Sequence, residues 1–364
     1  MNKKIIFLGG GTGGHILPAI NLMNYFFDKG YEVILVTDNR GSNFLKKNKK
    51  FNFYIINTST PTNKNFIKKF FSFLLIFYSI IKSIIILKRE KPDLIFGFGG
   101  YVSFPTSFAS KFFKLPLIIY ENNILPGRAN KYLASFAKKI FTAKKIKNNF
   151  SNIYKNKIYE VGSILSKDII NYHHPKKKFS ENKEFSILVL GGSQGAEIFG
   201  NIVPNSFNML KNEGHNIKIY QQCTARQKQS VIDFYKKNKI KNHIFEFVEN
   251  ISEIISISDL AITRCGASST AELVHMLTPF IGVPLPNSVD NHQYLNAEYY
   301  EKKGCCWLLE QKDFDSNNLF NLIVEIIKNK NKLYEICENM KKNQDTNVYK
   351  SIENEVKEFF KYEN

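Results

Sequence analysis

The sequence is poor in cysteine, and the cysteines it has follow no ligand spacing. They are odd in number and form no C-x-x-C pair, which argues against a disulfide framework and against a zinc site. The seven histidines are scattered, so we expect no metal site. This pattern predicts a reduced, cytosolic compartment. The five cysteines are Cys223, Cys265, Cys305, Cys306 and Cys337.

Acidic residues are also few. The chain has 32 Asp and Glu against 51 Lys and Arg, which gives a formal net charge of +19. Such a charge favours anionic partners, namely nucleic acid, anionic lipid headgroups or phosphorylated substrates. Part of it is compositional bias, since basic runs such as 46–50 have no evident role. No long apolar run precedes the first strand, so no signal peptide is expected.

Short apolar runs alternate with helical stretches along the 364 residues, which is typical of parallel sheets covered by helices on both faces. We therefore predict an α/β fold of two Rossmann-like domains whose parallel sheets face a cleft. The first domain is expected over 1–163 and the second over 164–342, with a helix over 343–364 that packs back on the first. Strands are predicted near 5–8, 32–37, 93–98, 116–120, 139–142, 158–161, 185–190, 217–221, 244–247, 260–263, 280–283 and 306–309.

Two glycine-rich loops follow apolar strands and open helices, one at 9–14 and one at 191–196. Loops without side chains let phosphate oxygens approach backbone N–H groups, and the next helix adds unpaired donors and the positive end of its dipole. Two such loops in the same strand-to-helix context predict a ligand that carries a diphosphate.

The first loop supports two interpretations. Gly9, Gly11 and Gly14 satisfy G-x-G-x-x-G, and Asp38 ends the next strand, where a dinucleotide-binding fold places a ribose-binding acid. His15 follows the last glycine, and the helix dipole disfavours imidazolium there, so a neutral ring suited to general-base catalysis is the other interpretation. A capping or phosphate-binding role for His15 is the alternative to catalysis.

Further loops are expected at the carboxyl edges of the two sheets, where open α/β folds bind ligands. In the first domain these are Gly97 to Tyr101 and the segment that holds Asn123. The amide of Asn123 can both donate and accept, which suits a sugar hydroxyl; the alternative is that Asn123 is an ordinary turn residue. In the second domain Glu272 could accept both hydroxyls of a ribose or lie on a solvated helix face. Gln293 offers a planar amide to two vicinal sugar hydroxyls.

The most apolar segment covers Phe66 to Leu87, and Lys82 is its one charge from Phe70 onward. Its length approaches that of a membrane span. Three structures are open: a helix in the membrane interface that also packs on the core, a helix buried in the core, and a transmembrane span. Lys82 and the surrounding α/β pattern argue against the span, whereas the flanking lysines suit anionic headgroups.

Six motifs together resemble the MurG family, whose members add N-acetylglucosamine to undecaprenyl-diphosphate-linked muramoyl-pentapeptide in bacterial peptidoglycan synthesis. The resemblance follows the family's order over nearly the whole chain. It implies the glycosyltransferase B fold, with the nucleotide sugar held mainly by the second domain and the lipid acceptor by the first. The motifs are GGGTGGHILPA at 9–19, GFGGYVS at 97–103, ENNILPGRANK at 121–131, GGSQGA at 191–196, RCGASSTAE at 264–272 and VPLPNSVDNHQYLNA at 283–297.

The resemblance also implies roles for individual residues. Thr12, Gly13, Gly14 and Asn123 would line the junction of donor sugar and acceptor, and Tyr101 is a further substrate contact. Ser193 would contact the donor diphosphate, the Val248 backbone would read uracil, and Glu272 would hold the ribose. Ala267 and Ser268 would meet the phosphate from their helix, and His292 with Gln293 would bind the N-acetylglucosamine hydroxyls. One position departs from the family: Ser166 stands where an arginine commonly contacts the donor, and Lys167 either replaces it or the contact is lost.

The mechanism implied is a single inverting displacement, with His15 as the base and no cofactor or bound metal. Expected partners are UDP-N-acetylglucosamine, the lipid-linked acceptor and anionic inner-membrane lipids, but not nucleic acid. We expect a peripheral location on the cytoplasmic face of the bacterial inner membrane. The alternatives are a glycosyltransferase for another glycolipid, a UDP-sugar binding module without catalysis and, remotely, an NAD-dependent oxidoreductase.

Overall fold

The computed structural model describes residues 3–45, 51–59, 66–145, 152–172, 179, 184–192, 196–248 and 250–362. The chain forms two compact units. The first unit combines 1–166 with 346–364, and the second covers 167–345. Both boundaries fall three residues beyond the positions expected from the sequence, 163 and 342.

The first unit contains a seven-stranded sheet in the order β3-β2-β1-β4-β5-β6-β7, and all its pairings are parallel. Inside the sheet, β1 contains a run of fully buried apolar side chains, Ile5 to Leu8, as expected of a strand covered on both faces. The strands are β1 Lys4–Leu8, β2 Glu32–Thr37, β3 Asn52–Ile55, β4 Leu94–Gly97, β5 Leu117–Glu121, β6 Lys139–Thr142 and β7 Ile158–Glu160.

The second unit repeats this plan in a six-stranded parallel sheet with the order β10-β9-β8-β11-β12-β13. Each sheet reverses its strand order next to its own first strand, which is the Rossmann arrangement. The prediction of two Rossmann-like domains with parallel sheets is confirmed. The strands are β8 Phe185–Leu190, β9 Ile217–Gln222, β10 Lys241–Phe245, β11 Leu260–Thr263, β12 Phe280–Gly282 and β13 Cys306–Leu308.

Helices connect the strands and cover both sheets. Those of the first unit are α1 Gly13–Asp28, α2 Asn39–Ser42, α3 Phe66–Glu90, α4 Gly100–Ser110, α5 Arg128–Leu133 and α14 Val348–Tyr362. Those of the second unit are α6 Lys167–Ile170, α7 Glu197–Asn212, α8 Ala225–Lys237, α9 Ile251–Ile257, α10 Ala267–His275, α11 His292–Glu301, α12 Ser316–Lys328 and α13 Lys330–Lys342.

Strand β3 was not predicted, and β10 begins three residues earlier than expected. Both are edge strands, with one neighbour each. The first two residues of β3, Asn52 and Phe53, are exposed. An edge strand that buries so little lacks the continuous apolar run by which the other strands are recognised in the sequence.

Helix α14 belongs to the first unit although it follows the second in sequence. Its Ile352 and Val356 are fully buried in the same apolar core as Phe26 of α1. At the edge of this contact, the Tyr25 hydroxyl donates a hydrogen bond to Glu353 Oε2 over 2.6 Å. The helix therefore completes the core of the first unit.

Helix α3 packs with its polar side inward. Ser72, Ser79 and Ser83 are buried. The Ser79 hydroxyl donates to the Asn57 carbonyl over 2.7 Å, and the Ser83 hydroxyl lies 2.9 Å from Thr106 Oγ1 on α4. Most large apolar side chains point outward, and we call this surface the α3 face. Its exposed members are Phe66, Ile67, Phe70, Phe71, Phe73, Leu74, Leu75, Phe77, Tyr78, Ile81 and Ile85.

By length and composition, α3 is the one helix in the described ranges that could cross a membrane. Its most apolar 18-residue window has a mean hydropathy of 2.3, and 28% of that window is buried. This low burial disagrees with the alternative of a helix buried in the core. Lys82, the charge within the segment, donates to the Ile55 carbonyl of β3 over 2.9 Å.

Candidate functional site

The first glycine loop lies between β1 and α1, and its glycines permit close packing. A Cβ at Gly9 would lie 2.8 Å from the Cβ of Ala19 on α1, and Gly11 adopts a left-handed φ of +79°. Thr12 precedes α1 in an extended conformation and makes no side-chain cap. The exposed Thr12 and the amides of Gly13 and Gly14 therefore form the start of the helix, where backbone N–H groups lack a partner within the helix.

His15 is oriented by a backbone carbonyl from another loop. Its Nδ1 lies 2.8 Å from the carbonyl oxygen of Phe98, just after β4. Because a carbonyl only accepts hydrogen bonds, Nδ1 carries the proton in this contact and Nε2 keeps its lone pair when the ring is neutral. The ring is half-buried. This is the tautomer that a general base acting through Nε2 requires.

The loop after β4 reaches His15 because two glycines adopt left-handed conformations. Gly99 and Gly100 have φ values of +80° and +71°. A Cβ at Gly100 would lie 3.2 Å from the His15 ring. The next residue, Tyr101, places its ring against the first glycine loop, where a Cβ at Gly11 would lie 3.3 Å from Tyr101 Cε1. The structure thus brings His15, Tyr101 and the first glycine loop together.

The loop after β5 is organised by Glu121, whose side chain is almost completely buried. Glu121 Oε1 accepts hydrogen bonds from the backbone N and from Nδ2 of Asn123, over 3.0 and 3.1 Å. Its Oε2 accepts from the Gly127 amide and from Asn130 Nδ2, over 2.8 and 2.9 Å. Asn123 is therefore held by a carboxylate two residues before it.

The sequence motif contained Glu121 but did not reveal this role. A carboxylate at the end of a fully buried strand, followed by a Pro-Gly turn and asparagines, is the signal that could have found it. A buried charge is costly unless several donors stabilise it.

Asp38 follows the last residue of β2, where the dinucleotide interpretation places the acid, but its side chain binds the protein backbone. Its Oδ1 accepts hydrogen bonds from the backbone amides of Gly11 and Gly41, over 3.0 and 2.8 Å. The side chain is thus committed to the loop backbone rather than offered to the hydroxyls of a ribose. This geometry does not favour the oxidoreductase alternative.

In the second unit the glycine loop lies between β8 and α7. The Gly191 amide donates to Gln222 Oε1 over 3.1 Å, and Gly192 has a left-handed φ of +77°. Ser193, expected to contact the donor diphosphate, lies outside the described residues. Val248, expected to read uracil, is half-buried and follows β10 by three residues.

Helix α10 follows β11 after three residues and begins with the candidates Ala267 and Ser268, both half-buried. Gly266 precedes them as the N-cap residue and has no side chain, so the first amides of α10 receive no side-chain cap. Glu272 lies on the same helix, and burial raises its pKa to about 7. Its protonation therefore changes close to neutral pH.

His292 and Gln293 begin α11 after two left-handed residues, Asp290 and Asn291. His292 Nδ1 lies 2.7 Å from the Val289 carbonyl oxygen. Gln293 Oε1 accepts from the amides of Cys265 and Leu285, over 3.2 and 3.0 Å. Since this oxygen already accepts two hydrogen bonds, the expected contact of both amide atoms with sugar hydroxyls would be limited to Nε2.

Arg264 was not singled out from the sequence, yet it organises this part of the second unit. The buried guanidinium donates to the carbonyls of Val283 and Pro284 and to Gln311 Oε1, over 3.1, 3.1 and 2.6 Å. It also lies 5.1 Å from the centre of the Phe199 ring. Arg264 thereby joins β11 to the loop that leads to His292.

Two remaining predictions concern Ser166 and metal ligands. Ser166 is half-buried and is the last residue of the first unit before the chain enters the second. Lys167 is exposed and begins α6.

Among the described residues, no group of three or more His, Cys, Asp or Glu side chains is placed to hold a metal ion.

Comparison with known families gives one match for each half of the chain. Residues 5–142 match the glycosyltransferase family 28 N-terminal domain, and residues 186–354 match the glycosyltransferase family 28 C-terminal domain. The first match covers β1 to β6. The second covers β8 to the first half of α14.

Curated relatives match over almost their whole length. A UDP-N-acetylglucosamine--N-acetylmuramyl-(pentapeptide) pyrophosphoryl-undecaprenol N-acetylglucosamine transferase of Pelagibacter ubique is 35% identical, over 97% of both chains. The protein of that name from Rickettsia canadensis is 36% identical, over 93% of this chain and 95% of its own.

Solved structures share the fold. The crystal structure of Acinetobacter baumannii MurG has a TM-score of 0.78 at 23% identity and covers 98% of this chain and 99% of its own. An S. aureus MnaA-UDP co-structure has a TM-score of 0.68 at 15% identity, with 99% and 97% covered.

Proposed function

This chain belongs to the MurG family within glycosyltransferase family 28, and from that premise we propose its reaction. It transfers N-acetylglucosamine from UDP-N-acetylglucosamine to the 4-hydroxyl of undecaprenyl-diphosphate-linked N-acetylmuramoyl-pentapeptide, with inversion, in peptidoglycan synthesis. The observation that carries this conclusion is the 35% identity to a relative so named over 97% of both chains.

His15 is the proposed base. Its Nδ1 proton is held by the Phe98 carbonyl, which leaves Nε2 to accept the proton of the muramoyl 4-hydroxyl. As the oxygen loses this proton it forms a bond to C1 of the donor sugar, and the bond from C1 to the β-phosphate oxygen breaks. UDP leaves with the electron pair of that bond, and the configuration at C1 inverts.

The departing diphosphate is stabilised in the second unit. The backbone around Gly192 and the first amides of α7 and α10 are donors suited to the negative charge that develops as the C1–oxygen bond breaks. At the start of α10 the diphosphate meets Ala267 and Ser268. In the second glycine loop, Ser193 is its proposed contact. The reaction on this assignment needs no cofactor.

The rest of the donor is bound by Glu272, Val248, His292 and Gln293. An ionised Glu272 accepts the ribose hydroxyls, and the Val248 backbone meets uracil. Gln293 donates through Nε2 to a sugar hydroxyl, because its oxygen is bound to the Cys265 and Leu285 amides. The point where the donor sugar meets the acceptor is lined by Thr12, Gly13, Gly14 and Asn123 of the first unit, and Tyr101 is a further substrate contact.

We further propose that the protein is a peripheral protein of the cytoplasmic face of the inner membrane. The α3 face supports this proposal, because contiguous exposed apolar side chains of this number mark a surface that is covered in use. The buried serines satisfy their hydrogen bonds inside the unit, so the helix lies on the unit with its apolar side facing outward, where lipid would contact it. Exposed lysines lie near both ends of α3, Lys68 and Lys69 near its start and Lys88 near its end, and they suit anionic headgroups.

The test is transfer of radiolabelled N-acetylglucosamine from its UDP form to a short-chain lipid-diphosphate-muramoyl-pentapeptide, with purified protein and EDTA. Labelled product that contains a β-linked disaccharide is the expected result. If no product forms but UDP-N-acetylglucosamine raises the unfolding temperature, the donor assignment stands and the acceptor is wrong. If neither occurs, the proposed function is wrong.

A further inference from the structure

One side-chain cluster joins three loops at the carboxyl edge of the first sheet. We call Asp38, Arg40 and Tyr101 the Asp38 cluster. Asp38 Oδ1 holds the amides of Gly11 and Gly41, and its Oδ2 accepts a hydrogen bond from the Tyr101 hydroxyl over 2.9 Å. The first glycine loop, the turn after β2 and the start of α4 are therefore fixed to one carboxylate.

The surrounding glycines are what permit this approach. A Cβ at Gly10 would lie 2.8 Å from Asp38 Oδ1, and a Cβ at Gly41 would lie 2.0 Å from Thr37 Oγ1. Burial by itself would raise the pKa of Asp38, but hydrogen bonds from Gly11, Gly41 and Tyr101 and the Arg40 charge hold this pKa below its usual value. Asp38 therefore stays ionised at neutral pH.

Arg40 lies on the outside of the same cluster. Its Nη2 donates to the Tyr101 hydroxyl over 2.9 Å, and its guanidinium lies 5.9 Å from the centre of the Tyr101 ring. Nε is 3.9 Å from Asp38 Oδ2, and 65% of the side chain is exposed. A guanidinium has five N–H donors. The contacts above fix its position while most of it faces solvent.

The cluster is thus polarised. Its negative end is enclosed by backbone amides, and its positive end is exposed next to the loop that precedes His15. Tyr101, which holds Arg40, directly follows Gly100, the residue packed against the His15 ring. An anion that contacts Arg40 would therefore bind at the same pair of loops as the proposed base.

We propose that Arg40 binds the diphosphate of the lipid-linked acceptor, and that Asp38 and Tyr101 are positioning residues that hold its guanidinium. This inference rests on the proposed function, which supplies an acceptor with a diphosphate. A guanidinium suits that group because its planar fork pairs with two phosphate oxygens at once. The donor also carries a diphosphate, so the test must separate the two substrates.

The experiment compares Arg40→Gln and Arg40→Lys with the wild-type protein, using a short-chain acceptor in detergent. Arg40→Gln should raise the acceptor KM by about tenfold or more, the usual effect of losing a charged hydrogen bond. The donor KM and the kcat at saturating acceptor should stay within about twofold of the wild-type values, because Arg40 contacts neither the donor nor His15 on this proposal. Arg40→Lys should recover part of the loss.

Two further measurements separate binding from structural damage. The wild-type acceptor KM should rise more steeply with ionic strength than that of Arg40→Gln, since one exposed charge pair is lost. The control Arg226→Gln removes an exposed arginine of the second unit and should leave the acceptor KM unchanged. Binding of a short-chain prenyl diphosphate, measured by calorimetry, should weaken in Arg40→Gln in the same proportion as the KM rises.

Several results would overturn the inference. An unchanged acceptor KM in Arg40→Gln, or a rise in the donor KM instead, removes Arg40 from the acceptor site. A fall in kcat alone would mean that Arg40 acts only through the loop. If the wild-type protein binds the prenyl diphosphate through Arg40 but transfers no sugar, the proposed function fails and the inference stands. If it does not bind the prenyl diphosphate, the inference fails.

Discussion

Two equivalent crossovers, one in each unit, differ in length and in what they expose. The connection from β3 to β4 in the first sheet corresponds to the connection from β10 to β11 in the second. The first contains α3, with 25 residues, whereas the second contains α9, with seven. Since seven helical residues are enough to cross the second sheet, the crossover itself does not require the length of α3. The additional apolar surface is the one that we propose contacts the membrane.

The buried charges near the two sites differ as well. At the end of β5 the carboxylate of Glu121 accepts hydrogen bonds from four N–H groups. Just after β11 the guanidinium of Arg264 instead donates hydrogen bonds to three oxygens. Each charge fixes loops at the carboxyl edge of its sheet. The same fold thus stabilises its two sets of functional loops with opposite charges.

The largest expected effect comes from the removal of His15, the base that we propose in the first unit. His15→Ala should lower kcat by about a hundredfold to ten-thousandfold, the range for a lost general base. Stabilisation of the protein by UDP-N-acetylglucosamine against thermal unfolding should not change. His243→Ala, which removes an exposed histidine of β10, is the control. Full turnover by His15→Ala would rule out the base assignment.

The contrast between α3 and α9 is tested by introducing negative charges on the α3 face and measuring binding to vesicles. Phe73→Asp combined with Phe77→Asp should reduce binding to phosphatidylglycerol vesicles by at least about tenfold, because two large apolar side chains lose their transfer into lipid. Co-sedimentation measures this. Ile257→Asp at the end of α9 is the matched control and should bind as the wild-type protein does. Equal loss in both variants would show that α3 has no special role.

Substitutions of Glu121 and Arg264 test the two buried charges. In Glu121→Gln the new amide NH2 group faces N–H donors that the carboxylate had bound, so those donors lose their acceptor. We expect kcat/KM for the acceptor to fall by about tenfold to a hundredfold. Arg264→Lys loses the planar fork and should raise the donor KM by about tenfold. Steady-state kinetics with each substrate varied in turn separates the effect on the acceptor from the effect on the donor. Effects on the opposite substrate would contradict the division between the units.

The smallest expected effect is a pH dependence confined to the second unit. Burial raises the pKa of Glu272 to about 7, so the carboxylate becomes protonated as the pH falls through neutrality. UDP affinity, measured by calorimetry, should therefore decrease by up to about tenfold from pH 8 to pH 6. Glu272→Gln should bind UDP more weakly and show a flat pH profile. A wild-type profile as flat as that of the variant would contradict the assignment.

The sequence located the loops but not the contacts between them. His15 follows from its position after the glycine loop, whereas its carbonyl partner at Phe98 is 83 residues away and belongs to a turn set by two left-handed glycines. Asp38 has the spacing of a ribose-binding acid, yet a carboxylate that can reach two amides binds them instead. Such choices depend on packing between distant segments.

For α3, the sequence predicted an apolar helix but not its orientation. The inward side is marked by Ser72, Ser79 and Ser83, whose spacing of seven and four places them on one helix face. A stripe of small polar residues in an apolar helix could have predicted the orientation. The usual rule, which places apolar side chains toward the core, gives the opposite answer here.

The position of α14 has a consequence for the order in which the protein matures during synthesis. Residues 1–166 leave the ribosome first, but Ile352 and Val356, which complete their core, emerge after the whole second unit. The second unit is continuous in sequence and can finish folding as soon as it has emerged. The unit made first is therefore the unit completed last, and until α14 docks, the core around Phe26 is incomplete.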